Sequence, residues 1–164
     1  MSTLFWSGLR IGWVRGPEHL ISRLGRLKAT ADLGTSFIDQ LVASRLLESV
    51  IEVKKFRCSE LAVRRNLLAE HLNRLLSDWS WRRAPGGTCL WVKLPRGDTG
   101  ELSQVALRHG VLILPGTSFS PNGEWQSWLR LPFVLEARRL KIGIERLAKA
   151  WDEYASSLER AEGR

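Results

Sequence analysis

Apolar residues recur along this chain in two rhythms, and the alternation between them outlines the elements. Leu9, Ile11, Trp13 and Val14 make a short apolar run that predicts a strand over 9–15, closed by Gly16-Pro17. Proline suits a first helical turn, and Leu20, Leu24, Leu27 and Ala31 follow at helical spacing, which predicts a helix over 17–31. The polar break Asp32-Leu33-Gly34-Thr35-Ser36 offers Thr35 or Ser36 as an N-cap, with Asp39 in the first turn of a helix running to about Ser49. Phe37, Leu41 and Leu47 are among its apolar positions. A third and longer helix, from roughly 54 to 76, carries Leu61, Leu68, Leu72 and Leu75 on one stripe.

Beyond this point the period shortens to two. Pro85-Gly86-Gly87 marks a turn, and Leu90, Val92 and Leu94 share one face of a strand over 89–94. A helix over 99–109 ends at Gly110, in the C′ position. Val111-Leu112-Ile113-Leu114 has the continuous apolar character of a buried strand and stops at Pro115-Gly116. After the turn at Pro121-Asn122-Gly123 a further strand spans 128–133, with Leu129, Leu131 and Phe133 on one face and Arg130 on the other. The last helix, from about 136 to 158, bears the stripe Leu140, Ile144, Leu147, Trp151, Tyr154 and Leu158, wide enough to cover one face of a sheet. The second half is therefore expected to be a two-layer α/β unit of about three strands. No internal repeat or low-complexity segment is visible.

Composition narrows the class. A chain of 164 residues holds one ordinary core, and 44% hydrophobic with 26% charged residues is the balance of a soluble globular protein. No apolar run is long enough to cross a bilayer, and the start lacks the pattern of a secretory signal, so a cytoplasmic location with no membrane partner is expected. Cys58 and Cys89 make no disulfide framework, and His19, His71 and His109 show no metal-ligand spacing, which leaves surface or capping roles for the histidines. The net charge of +8 favours anionic partners, yet the basic residues are dispersed. Arg82-Arg83 and Arg138-Arg139 are the densest pairs, and no basic patch with interleaved aromatics is apparent, so a solvated basic surface is the reading. Without a recognition motif, the chain by itself is expected to bind DNA weakly and without sequence preference.

The candidate chemistry lies near the start. In Gly8-Leu9-Arg10-Ile11-Gly12, two glycines bracket an arginine, and glycine there permits close backbone approach or positive φ. Arg10 offers a permanently charged fork suited to phosphate or carboxylate. Taken with its neighbours, Leu4 through Pro17 resembles the cofactor-lysine segment of fold-type I pyridoxal-phosphate aminotransferases, and most of all that of the MocR-type subgroup of GntR-family transcription regulators. Asp32 through Gln40, Pro85 through Val92, Val111 through Phe119 and Trp128 through Phe133 are similar to later segments of the same family, in order.

The resemblance implies an α/β fold that is the C-terminal portion of the fold-type I aminotransferase fold: helices from the large domain, a long connecting helix and a two-layer small domain. It assigns residues 1–50 to the large pyridoxal-phosphate-binding domain and 51–164 to the connecting helix and small domain. Arg10 matches the arginine that holds the cofactor phosphate, and Arg130 the one that grips the α-carboxylate of an amino acid or similar ligand. The family lysine to which pyridoxal 5'-phosphate attaches falls on Thr3, preceded by Ser2, and threonine has no amine with which to form a Schiff base. Lys28, Lys54 and Lys55 lie outside the motif. No catalytic residue is therefore assigned, and no covalent cofactor is expected on this chain. The acidic partner of the pyridine nitrogen and the winged helix-turn-helix through which such regulators contact DNA would lie upstream. Residues 9–50 are then expected to expose apolar faces unless a partner chain, such as the second copy of a homodimer, covers them.

The reading that results is a fragment of a ligand-sensing, non-catalytic effector domain. The alternatives are a fragment of a true class I/II aminotransferase and a small basic interaction module.

Overall fold

The structure is a computed structural model and describes residues 4–83 and 85–162. It divides into two compact units, Met1–Ser59 and Glu60–Arg164.

In the first unit a single 3-10 turn, Ser7–Leu9, is followed by irregular backbone up to Pro17. The strand expected over 9–15 is absent. Alternating apolar residues favour extended backbone, but a strand exists only where a neighbour completes its ladder, and every strand among the described residues belongs to one sheet formed by residues 80–132. Trp13 and Val14 stand exposed as a result. Helix α1 spans Glu18–Asp32 with Pro17 at its N-cap, and α2 spans Phe37–Glu48. Ser36 caps α2, its hydroxyl accepting from the Asp39 amide at 3.4 Å. Lys28 donates to Asp32 at 2.7 Å near the end of α1, and with the Gly34 amide it holds the Asp32 carboxyl below its ordinary pKa. Not one residue of α1 is buried, and in α2 only Ala43 is. Helix α3, Val50–Leu75, begins before the expected 54, and its residues from Glu60 onward belong to the second unit.

The second unit is built on an antiparallel sheet ordered β1-β2-β4-β3: β1 (Ser80–Trp81), β2 (Cys89–Lys93), β4 (Trp128–Pro132) and β3 (Leu114–Pro115). The strand at Ser80–Trp81, too short to show a period, was not legible in the sequence. Between β2 and β4 the register pairs Leu90 with Leu131, Trp91 with Arg130 and Lys93 with Trp128. The segment 111–114 departs from its expected form. Leu112 and Leu114 are exposed while Ile113 is buried, and only Leu114–Pro115 pairs with β4. Pro115 ends the expected strand yet lies within the observed one, a position open to proline because β3 is at the sheet edge and no further strand needs its missing N–H.

Helices α4 (Thr99–Arg108) and α5 (Ala137–Glu162) and the later turns of α3 supply the second layer. Asp98 caps α4, its carboxylate accepting from Gly100 and Glu101 amides at 2.6 and 3.2 Å, and Gly110 follows the C-cap at φ 73°, in the left-handed region that favours glycine. Leu90, Val92 and Leu94 meet Leu129, Leu131 and Phe133 beneath the α5 stripe of Leu140, Ile144, Leu147, Trp151 and Tyr154. Leu68, Leu72 and Leu76 complete the core, with Trp79 edge-on to Trp151 at 5.4 Å.

Candidate functional site: an arginine-bearing segment and a tryptophan-lined sheet face

The two arginines singled out by the motifs lie in different units. Arg10, in the first, is exposed and adopts φ 50°, the left-handed region that non-glycine residues enter at a cost of about 1–3 kcal/mol, as Leu33 also does at the C-cap of α1. The bracketing glycines were read as permitting close backbone approach or positive φ; neither takes a positive φ, and Arg10 does. Gly8 serves through close approach, since a Cβ there would overlap the Trp6 indole, whereas Gly12 faces open space. Thr3, at the position of the family lysine, lies outside the described residues.

Arg130 sits on β4. Burial alternates as the two-residue period requires: Leu129 and Leu131 are buried, while Trp128 and Arg130 face the other side of the sheet, half-buried. The Arg130 guanidinium carbon lies 5.5 Å from the Phe119 ring centre. Among the described residues no protein acceptor hydrogen-bonds it, so the planar fork retains its donors for a ligand. The stem also borders an apolar cleft with Leu112, Leu135, Arg139 and Gly143, whose volume of about 90 Å³ is far below that of ligand pockets.

Beside Arg130 the same sheet face carries an aromatic cluster that the sequence reading missed. Trp91 stacks on Trp128 with ring centres 5.8 Å apart and planes at 13°. Trp125 meets both edge-on at 6.1 and 5.9 Å, and Phe119 meets Trp91 at 5.8 Å. Lys93 lies 6.0 Å from the Trp128 ring centre. The signal was present: with Leu90, Val92 and Leu129 turned inward, alternation places Trp91 and Trp128 on the outward face, where polar residues are the rule. Arg82 and Arg83, just past β1, border one hollow with Trp91, Trp125 and Trp128, whereas Trp81, paired with the inward Val92, packs against the core and lines the hollow from the edge strand. Trp91 and Trp128, far apart in the sequence, meet only across the ladder, so no contiguous stretch displays the cluster.

Several other titratable groups tie elements of the second unit together. His109 caps α4 and, with Arg108, binds Glu153, whose carboxyl is held below its usual pKa first by Arg108 and then by His109. His71 is buried rather than at the surface as expected. It faces Arg74 at 3.0 Å, and its Nε2 has no partner. The Tyr154 hydroxyl donates to Glu101 at 2.6 Å and accepts from the Asp98 amide at 2.8 Å, while burial pushes its pKa up to about 12. Among the described residues no cluster could hold a metal ion, and no helix is long and apolar enough to cross a membrane.

Taken singly, each arginine, one in each unit, suits an anionic group of the kind a pyridoxal-phosphate complex carries. Arg10 is an exposed cation suited to a phosphate, and Arg130 has an uncommitted fork suited to a carboxylate. The motif supplies no amine where the family has its lysine.

Comparison with known proteins bears on the family. The family aminotransferase class I and II matches residues 5–147. Aromatic-amino-acid aminotransferase 1 of Thermococcus litoralis is 29% identical over 93% of this chain and 38% of its own length. An uncharacterized HTH-type transcriptional regulator of Bacillus subtilis, YdfD, is 35% identical over 91% of this chain and 32% of its own. Among solved structures, the α-aminoadipate aminotransferase LysN of Thermus thermophilus, in complex with N-(5'-phosphopyridoxyl)-L-leucine, superposes with a TM-score of 0.88 at 25% identity, over 93% of this chain and 40% of that one. The multiple substrate aminotransferase of Thermococcus profundus gives 0.84 at 28%, over 95% and 40%. The chain therefore spans between 32% and 40% of the length of these relatives. With the sheet, the helical layer and the order of the motifs all in agreement, this chain belongs to the class I and II aminotransferase family, with the fold of fold-type I enzymes.

Proposed function

We propose that the chain is part of the effector domain of a MocR-type, GntR-family transcription regulator, which senses pyridoxal 5'-phosphate and an amino acid or similar carboxylate and does not turn the ligand over. The observation that carries the reading is the combination in one motif set of both anion-binding arginines, Arg10 and Arg130, with Thr3 where the lysine would stand. The 35% identity to a regulator of the HTH type supports it. In the complete domain Arg10 would hold the cofactor phosphate and Arg130 the ligand carboxylate, while residues 1–50 would belong to the large domain and 51–164 to the small one. The cofactor, when bound, supplies an electron-withdrawing ring; this chain's residues hold its charge and orient the ligand. DNA contact would be made through a winged helix-turn-helix, in a cytoplasmic homodimer.

The second reading, part of a true aminotransferase, is favoured by the similarity to the Thermococcus litoralis enzyme. One set of measurements on the complete domain separates the two. Arg130→Ala is expected to weaken amino-acid binding by the roughly 1.5–3 kcal/mol of a charge-assisted contact, about tenfold to a hundredfold, with cofactor affinity little changed. Arg130→Lys should restore only part, because an ammonium lacks the planar fork. Arg10→Ala should weaken cofactor binding first. Wild-type ligand affinity in Arg130→Ala would move the carboxylate role elsewhere, and steady transfer of the amino group to a keto acid would decide for the enzyme.

A further inference from the structure

The outward sheet face contains a hollow that neither arginine of the proposed ligand site lines. It is about 710 Å³, within the range of small-molecule sites, and is bordered by Trp81, Arg82, Arg83, Trp91, Trp125 and Trp128. We propose that it binds a planar aromatic anion, a one- or two-ring carboxylate or sulfonate. The rings of Trp91, Trp125 and Trp128 form its wall, and Arg82 and Arg83 hold its charge.

Three observations carry this. The indoles already pack on one another, Trp91 against Trp128 and Trp125 edge-on to both, so the wall is ordered before a ligand arrives and little rotamer freedom is lost on binding. A flat ring matches such a wall through offset or edge-on contact. Arg82 and Arg83 are exposed, and among the described residues no carboxylate pairs with either. No acidic residue lines the hollow, so the local charge is positive and calls for an anion. A single-stranded nucleic acid would need cations tracking a phosphate backbone out of the hollow. The lining instead continues through Ser80, Pro85 and Cys89, and the next lysine, Lys93, lines a separate recess that it shares with Glu124. A compact ligand fits this distribution better than a polymer.

The test is calorimetric titration of the 164-residue chain with three probes: 2-naphthoate, 2-naphthol, which keeps the ring and lacks the charge, and cyclohexanecarboxylate, which keeps the charge and lacks the flat ring. The expected result is saturable 2-naphthoate binding, with both controls at least about tenfold weaker. Arg82→Gln/Arg83→Gln should lose about tenfold or more in naphthoate affinity. Both side chains are exposed, so this variant keeps the fold, and Arg138→Gln/Lys141→Gln, removing two exposed charges on α5, should bind like the parent. Trp125→Ala, at a residue 47% exposed, should weaken naphthoate and leave the thermal unfolding midpoint near that of the parent. Equal affinity for naphthol, or an unchanged Arg82→Gln/Arg83→Gln variant, overturns the proposal. So does displacement of naphthoate by an oligothymidylate with steep salt dependence, which would assign the face to nucleic acid. Loss of binding as the chain self-associates in sedimentation would assign it to a second copy.

Discussion

The two units of this chain apply the same helical grammar with opposite outcomes. Helices α1 and α5 both repeat leucines every three or four residues, yet α5 buries Leu140, Ile144, Leu147, Trp151 and Tyr154, while α1 leaves Leu20, Leu24 and Leu27 between 40% and 60% exposed. The difference lies in what is available to pack on. The stripe of α5 meets a sheet whose inner face is uniformly apolar, Leu90 and Val92 opposite Leu131 and Leu129. The first unit contains no strand among its described residues, so its apolar faces remain in solvent. Amphipathicity makes a helix possible, and a complementary surface makes it stable, since most helical stability in proteins comes from packing.

The sharpest way to break this comparison is to cut the chain at its own boundary. A fragment of residues 60–164 should unfold cooperatively in urea, whereas residues 1–59 alone should show weak, non-cooperative helicity by circular dichroism. A sigmoidal transition in the shorter piece would refute the contrast. Single deletions should repeat it on a smaller scale. Leu129→Ala, at a position with no exposure, is expected to cost about 2–5 kcal/mol in urea unfolding, against roughly 0.5 kcal/mol or less for Leu27→Ala on α1.

Smaller effects sharpen it. Tyr154→Phe removes the hydroxyl that joins α5 to Glu101 and to the Asp98 amide, for an expected loss of about 1–3 kcal/mol. Because folding raises this phenol from about 10 to about 12, the folded state holds the proton more tightly. The contribution is therefore complete below pH 10 and disappears as pH climbs toward 12, and in Tyr154→Phe that alkaline decline should be shallower. The helix caps give the mildest comparison. Asp98→Ala should cost about 0.5–2 kcal/mol, since it frees two amides of α4, while Ser36→Ala, breaking one 3.4 Å contact in α2, should leave the main unfolding transition in place. Equal shifts from the two would show that α2 shares the stability of the second unit.

Local signals determined a good deal of this protein. Periodicity placed the five α-helices of the described residues to within a few positions, and the last stripe was right at every position from Leu140 to Tyr154. Turn chemistry marked Gly110, and the two-residue period turned Arg130 away from the core. The order of short motifs led to the family, because those motifs are contiguous and carry their chemistry within a few residues. Tertiary structure decided the rest. Whether residues 9–15 become a strand depends on a neighbouring ladder, and the pattern of a single segment holds no information about its partner. The left-handed backbone fell on Arg10 rather than on the glycines beside it, and the close approach of Trp6 to Gly8 is likewise a contact and not a propensity. His71 entered the core through the packing of α3, which a lone histidine in a sequence does not announce. The tryptophan wall with Arg82 and Arg83 arises only when β1, β2 and β4 pair. Periodicity reports which way a side chain points on its own element, and only the ladder between elements decides what stands beside it.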